Sequence, residues 1–356
     1  GSARVNAGKR SISVDLKSDA GKEVVMSLIA DADVVIHNFR PGVPERLGID
    51  YGAISAVNPR IVYLQSNGYG PDGPGALRPS THPIPGAAMG GVMYQMREDL
   101  PGEVQDIDGL RLWTRRLMRA NEVNPDPNTA MVVATSVMLG LVARQRTGEG
   151  QQILIDMFGA NAYANHDDFF DFPGKPGRAI ADELMHGLSP TYRLYATAND
   201  GWVFLALVTD RERERFTTTL TKAGIDPPER ALLEAGGEAA AAALAALFAS
   251  HPSDEWESLL APAGVGCVRA DAYLPSEFWL GDDQAKALGL TRAAEHPSWG
   301  PYRRHGPNVT FDGKQQDLKP PPLAGQHNEE LLIASGYTAE QVAELTDAGT
   351  LWQEET

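Results

Sequence analysis

The stretch SISVDLKSDAGKEVVMSLIADADVVIHNFRPG, residues 11–42, decides the fold class. Ser11-Ile-Ser-Val-Asp-Leu16 alternates polar with apolar, the period of a half-buried strand, and Ser18 to Asp31 then carries Val24, Val25, Leu28 and Ile29 at helical spacing. Asp33-Val-Val-Ile36 is a short β-branched run of the buried-strand kind. Ile61-Val-Tyr-Leu64 repeats it after a helical or turn-rich connection from Pro44 to Val57. Strands separated by helices in this order predict a parallel βαβ arrangement and an α/β protein.

Working outward, Gly-Tyr-Gly-Pro-Asp-Gly-Pro-Gly at 68–75 opens an irregular loop that runs to Pro85. Residues 92–125 are polar and charged and read as a surface insertion or helical excursion. Asp126-Pro-Asn-Thr opens a helix to about Arg146, closed by Thr147-Gly-Glu-Gly150, and Gln151 to Met157 reads as a strand leading into a second helix. After Phe172-Pro-Gly-Lys-Pro-Gly177 the character changes. Tyr192-Arg-Leu-Tyr-Ala and Trp202-Val-Phe-Leu-Ala-Leu flank Asn199-Asp-Gly201, a hairpin signal. An alanine-rich helix at Glu238 to Ala249 and a helix around Asp254 to Ala261 follow. Pro-rich segments at 297–307 and 319–323 read as an extended connection to a final capped helix pair at 327–348. The expected organisation is a large Rossmann-like domain of residues 1–180, rejoined by 305–356, with a small mixed α/β domain at 185–300.

The chain has 356 residues, a length that suggests about two domains. With 42% hydrophobic and 22% charged residues it can bury a core, which excludes disordered and fibrous classes. Its 31 Lys plus Arg against 47 Asp plus Glu give a formal charge of -16, which argues against nucleic acid and anionic lipid as partners. The longest greasy stretch, Ala130 to Ala143, is interrupted by Thr135, Ser136 and Gly140, which disfavours a membrane span. The lone Cys267 cannot form an intrachain disulfide or a cysteine zinc site, so the expected location is cytoplasmic and no structural metal is expected.

Several motifs in one order carry a resemblance: Gly8-Lys-Arg-Ser-Ile-Ser-Val-Asp-Leu-Lys17, Asn38-Phe-Arg-Pro-Gly42 with Arg46-Leu-Gly48, and Asn58-Pro-Arg60. It continues through Asp126-Pro-Asn-Thr-Ala-Met, Arg146-Thr-Gly-Glu-Gly-Gln151, Gly264-Val-Gly-Cys267 and Leu323-Ala-Gly-Gln-His327. Together they resemble the class III CoA-transferases (CaiB/BaiF type), a family that includes formyl-CoA transferase, carnitine CoA-transferase and the α-methylacyl-CoA racemases. The resemblance spans nearly the whole chain. It implies an interlocked homodimer acting on acyl-CoA and carboxylic acid substrates, with no permanently bound cofactor. Family members usually begin with a further strand, helix and strand that carry part of the CoA site. This sequence starts after them with a Gly-Ser pair of the kind a cloning junction leaves, so that portion is expected to be truncated or supplied elsewhere.

The resemblance implies that Asp126 attacks the acyl-CoA thioester, forming a mixed anhydride and then an enzyme-bound CoA thioester. Read from spacing alone, Asp before Pro at a helix start is an ordinary N-cap. The two roles are compatible, because a helix N-terminus favours negative charge. His82 falls at or beside the position where racemases of the family keep a proton-transferring histidine. Its flanks, Thr81-His-Pro-Ile-Pro, lack the usual following aspartate, and a lone histidine in a Pro-rich loop is more often a surface residue. For CoA, the resemblance points to Val14 and Lys17 on the first strand and to Asn38, Phe39, Arg46 and Leu47 at the end of the second. Carboxyl ends of parallel strands bind ligands, and the CoA phosphates need cations. Lys17 and Arg46 are otherwise solvated surface charges and Phe39 plain core. Arg40, Lys9 and Arg10 are weaker candidates of the same kind. His186-Gly-Leu-Ser-Pro190 is the nearest counterpart of a glycine-rich cover over the acyl site. There Gly187 is either a backbone amide donor or a hairpin-entry glycine.

His166-Asp167-Asp168 with Asp171 does not read as a metal site, since adjacent helical residues diverge by about 100°. No phosphate-binding glycine loop, dinucleotide fingerprint or nucleophile elbow occurs. Two other readings remain beside the transferase: a 2-methylacyl-CoA racemase using His82 and Asp126, and a non-catalytic CoA-transferase-like partner subunit.

Overall fold

The computed structural model describes residues 5–80, 84–89, 103, 106–119, 125–164, 170–177, 179, 181–182, 184–306, 309–315 and 319–354. Two compact units divide the chain: Gly1–Gly91, Asn121–Asp171 and Ala287–Thr356 make the first, Val92–Ala120 and Phe172–Lys286 the second.

In the first unit, β1 (Val34–His37), β2 (Val62–Asn67) and β3 (Gln151–Asp156) form a parallel sheet in the order β1-β2-β3. Helix Asp19–Ala30 precedes β1, started by Ser18, whose hydroxyl accepts from the Gly21 amide at 3.0 Å. Val43–Leu47 and Tyr51–Val57 are the short helices between β1 and β2, and Asp50 caps the second. β2 is buried along Val62 to Gln65, which matches a strand covered on both faces.

The long helix Pro125–Thr147 lies on that sheet through Val132, Val133 and Val137, which pack with Leu64 and Ile155. Gly140 permits the approach: a Cβ there would stand 2.8 Å from a Val62 methyl and 3.0 Å from the Ile153 terminal methyl. At the helix's far end Arg144 locks it to the amino edge of the sheet. One Arg144 nitrogen donates to the Asp33 and Arg60 carbonyls at 3.2 Å, and the other meets the Asp33 carboxylate at 2.7 Å. The helix therefore runs back toward the carboxyl edge at its N-terminus. The opposite helix face carries exposed Met131, Met138, Leu139 and Val142. By length and mean hydropathy, 1.2, residues 126–147 could also cross a bilayer, a criterion that core helices of soluble proteins meet as well.

The segment Ser11–Leu16 corrects an expectation. It is no strand of the sheet; Val14 makes one isolated bridge, to Leu351. Its backbone is held by the C-terminal region: the Asp15 amide donates to the Thr350 carbonyl at 2.9 Å and the Ser13 amide to Asn328 Oδ1 at 3.0 Å. Alternation could not reveal which part of the chain this segment would meet. The closing helices Asn328–Ala334 and Ala339–Asp347 supply that partner region. The expected plain connection at 297–307 is corrected as well: Thr291–His296 (β8) and Gly300–His305 (β9) form an antiparallel hairpin.

The second unit is built on an antiparallel sheet, Gly187–Ser189 (β4), Tyr192–Ala196 (β5), Trp202–Ala206 (β6) and Gly266–Arg269 (β7), in the order β4-β5-β6-β7. The β5–β6 turn has Asn199 and Asp200 at φ 59° and 56°, the left-handed pair that a tight hairpin of this kind requires. Alternate β6 residues Val203 and Leu205 face helices Asp210–Lys222, Gly237–Phe248 and Ser253–Leu260, around a core of Phe216, Leu244, Phe248 and Trp256. The alanine-rich helix joins that core through Ala240, Leu244 and Phe248. The insertion before residue 125 contains the helix Ile107–Arg119.

Candidate functional site

The carboxyl edge of the parallel sheet gathers most of the candidates. β1 ends at His37, and Asn38, Phe39 and Arg40 follow directly. A hydrogen-bond chain fixes this corner. The Phe39 amide donates to His37 Nδ1 at 3.2 Å, so the ring proton sits on Nε2. That N–H donates to Tyr63 Oη at 2.6 Å, and the Tyr63 hydroxyl donates to the Ile49 carbonyl at 3.2 Å. Burial pulls the His37 pKa below its usual 6.5 against an opposing pull from Glu45, which suits this neutral tautomer. Burial, with the charges of Glu45 and Asp50, raises the Tyr63 phenol to about 12. Gln65 completes the corner by donating to the Phe39 carbonyl at 3.4 Å.

Phe39 and Leu47 pack with Leu16 on one apolar cluster, around Ile49, Ile54 and Tyr63. That packing draws their chain neighbours Lys17, Asn38 and Arg46 to the same corner, and all three are exposed. Arg46 folds back over the turn made by Gly42, whose φ of 81° is left-handed. Its guanidinium lies 3.9 Å from where a Gly42 Cβ would be. Val14 is separate from this group: it packs with Val24, Leu332 and Leu351. Arg10 is engaged elsewhere, in a 3.0 Å ion pair with Glu330.

Asp126 reaches the same edge by another route. The helix Pro125–Thr147 is about 34 Å long at ~1.5 Å per residue, whereas β3 spans about 20 Å, so its first turn extends past the carboxyl ends of the strands. Here the structure corrects the cap expectation: Pro125 begins the helix, and Asp126 stands inside the first turn, exposed, rather than at the N-cap. Behind it, Asp156 ends β3 and caps Met157–Ala164, accepting from the Gly159 amide at 2.7 Å. Asn128 bonds Asn161 at 2.9 Å, and fully buried Asn161 donates to the Met157 carbonyl at 2.7 Å. These amides set the start of the Asp126 helix against the end of β3.

Gly187 lies in the second unit. A Cβ there would collide with the Tyr192 carbonyl and the Arg193 backbone, so the close β4–β5 crossing itself demands glycine. Beside it, Asp182 and Arg193 form a 3.0 Å ion pair, and Arg193 also donates to His186 Nδ1 at 2.9 Å. His82 and the His166 to Asp168 cluster lie outside the described residues. Among the described residues no His, Cys, Asp and Glu group could hold a metal ion. Sequence reasoning missed His37, Tyr63, Gln65 and Asn161. The polar residues that close the apolar runs of β1 and β2 were the available signal for His37 and Gln65, whereas Tyr63 lies inside its run.

The carboxyl edge of the parallel sheet thus presents the Asp126 carboxylate and an apolar corner flanked by Lys17 and Arg46. Residues 2–328 match CoA-transferase family III. The chain belongs to that family, and is thereby an enzyme of the CoA-transferring class. It is similar to an acyl-CoA transferase of Fusarium pseudograminearum, 29% identical over 98% of this chain and 74% of the relative. It is 26% identical to the succinyl-CoA:glutarate CoA-transferase of Mus musculus, over 99% of this chain and 78% of that protein. Among solved structures, a CaiB/BaiF family protein from Brucella suis superposes with a TM-score of 0.66 at 25% identity, covering 94% of this chain and 83% of that one.

Proposed function

We propose that the protein moves CoA from an acyl-CoA thioester to a carboxylic acid, with Asp126 as the carboxylate that carries the group. The observation behind this reading is the exposed Asp126 on a helix start directed to the same sheet edge as Phe39, Arg46 and Leu47. In the first stage an Asp126 oxygen attacks the thioester carbonyl, the C–S bond breaks, and a mixed anhydride and CoA thiolate result. The thiolate then attacks the Asp126 carbonyl carbon, which expels the donor acid and leaves a CoA thioester on the protein. The acceptor carboxylate repeats the sequence in reverse order, taking CoA and freeing Asp126. Every step exchanges one acyl bond for another, so the thioester free energy is conserved. Holding the carboxylate beside the thioester supplies the rate that a weak nucleophile lacks in water.

In this reading Lys17 and Arg46 pair with the phosphates of CoA, while Phe39 and Leu47 give the corner an apolar floor. Asn38 contributes its exposed amide, and Val14 supports the segment that carries Lys17 from the neighbouring cluster. The assignment of Gly187 as an amide donor to the acyl group rests on the family resemblance. We read residues 1–180 with 305–356 as the Rossmann-like domain, residues 185–300 as the small domain, and the assembly as an interlocked homodimer in the cytoplasm. Exposed Met131, Met138, Leu139 and Val142 support a second copy as cover for that helix.

The test is to incubate the protein with a panel of acyl-CoAs, quench with hydroxylamine or borohydride, and map the modified peptide by mass spectrometry. Modification at Asp126 is expected, with loss of transfer by about 10³-fold or more in Asp126→Ala. If CoA binds but no adduct forms, and solvent deuterium enters the α-carbon without an acceptor acid, the reading gives way to racemisation through His82 and Asp126. Failure to bind CoA at millimolar concentration would instead mark a non-catalytic partner.

A further inference from the structure

In the second unit the helix Asp210–Lys222 and the turn after the helix Ser253–Leu260 border a cleft of ≈ 620 Å³ that the transferase reading does not use. Its size is that of a small-molecule site. The helix buries Phe216 and Leu220 in the core of the unit, whereas Arg211, Arg215, Thr218 and Lys222, spaced as neighbours on a helix surface, all line the cleft. Like charges in such a stripe repel unless acids offset them. The nearest acids of the helix are engaged elsewhere: Asp210 pairs with Arg213 at 2.6 Å, and Glu212 accepts from the Val208 and Thr209 amides at 2.8 and 2.7 Å. Glu214 is the acid that lines the cleft, and it also feels the charge of Arg230. Among the described residues Arg211, Arg215 and Lys222 have no carboxylate in ion-pair range.

Arg215 is the fixed member of the stripe. One of its Nη atoms donates to the Gly264 carbonyl at 2.7 Å. Gly264 has a left-handed φ of 75°, and a Cβ there would stand 2.8 Å from that nitrogen, so glycine is what lets the guanidinium lie against the turn. The bond uses one of five guanidinium donors and leaves the others for a ligand in the cleft. Leu259 and Ala263 give the cleft an apolar wall, and Leu259 packs against the core of the unit. Three cations and one acid leave the lining positive, in a chain whose formal charge is -16. A local excess of this sign attracts multiply charged anions. Arg211 and Lys222 stand about 16 Å apart along the helix axis, a stripe that two linked phosphates follow farther than one does. We propose that Arg211, Arg215 and Lys222 form a binding site for a diphosphate group, with the guanidinium of Arg215 as its fixed anchor and Thr218 as a hydroxyl donor.

The experiment is isothermal titration of the full chain with ADP at a constant ionic strength of about 0.15 M. One saturable site per chain is expected, with Kd below about 1 mM, and weakened about 10-fold or more in Arg211→Gln with Lys222→Gln. Both residues are exposed, so the pair leaves folding intact. Arg111→Gln with Lys286→Gln removes the same charge from exposed positions outside the cleft and should leave the ADP affinity within about twofold. No saturable binding by about 1 mM, an unchanged affinity in the cleft variant, or an equal loss in the charge-matched one overturns the proposal. Binding that disappears in Arg46→Gln and survives in the cleft variant overturns it as well, since ADP then sits at the sheet edge. Pyrophosphate and adenosine distinguish the source of the group. ADP binding about 10-fold or more tighter than pyrophosphate, with adenosine inert, assigns a diphosphate borne on a nucleoside that uses the Leu259 wall. Equal affinities for ADP and pyrophosphate assign the free ion, and adenosine as tight as ADP overturns the proposal. No arm depends on acyl transfer, so failure here leaves the Asp126 reading untouched.

Discussion

At the scale of single residues, His37 shows how a polar side chain at the end of an apolar run is put to structural use. It accepts from the Phe39 amide and donates to Tyr63, and thereby holds the turn that presents Asn38 and Arg46. Its folded pKa is lowered by burial, so between that value and 6.5 the unfolded chain binds the extra proton. The stability contributed by neutral His37 is therefore complete above pH 6.5 and is lost as pH falls through the lowered folded value. Thermal unfolding from pH 7.5 to 5 should show a drop that is smaller in His37→Gln. Cys267 gives a second residue-scale expectation. Burial raises its thiol to about 12, so a thiol reagent at pH 8 should leave the native protein unlabelled and react only after denaturant. Asp126 was placed by its sequence to within one helix position; the Asn128–Asn161 brace behind it was not legible, because two asparagines far apart in the chain carry no mutual signal.

At the scale of elements, periodicity and turn chemistry did most of the work. The helix from Asp19, the runs that became β1 and β2, and the Asn199-Asp200 turn followed from patterns a few residues long. Ser11–Leu16 did not, since alternation describes an extended backbone and leaves its hydrogen-bonding partner open. The helix Pro125–Thr147 shows the opposite limit: glycine within it looks like a weakness, yet Gly140 is the contact that seats it on Val62 and Ile153. Gly140→Leu should therefore destabilise the protein by about 1–3 kcal/mol through overpacking, measured by urea unfolding, although leucine is the better helix former. An equally stable variant would show that the helix sits farther from the sheet.

At the scale of the molecule, the helix that carries Asp126 leaves Met131, Met138, Leu139 and Val142 exposed. If a second copy covers them, light scattering should report a dimer, and Met138→Glu with Leu139→Glu should shift it toward monomer. A detergent-dependent species would favour a bilayer for the same face. By itself the sequence determined the runs that became β1, β2 and β3, the helices that precede and follow them, and the tight hairpin. Each of these depends on interactions among neighbouring residues and on the period with which a chain must bury its apolar side. Only the tertiary structure decided that Leu16, Phe39 and Leu47 share one cluster, that Val14 meets Leu351, and that Arg215 meets Gly264. Those meetings join residues with no local pattern in common; they follow from how the whole chain excludes water and satisfies its buried polar groups, which no short window of sequence contains.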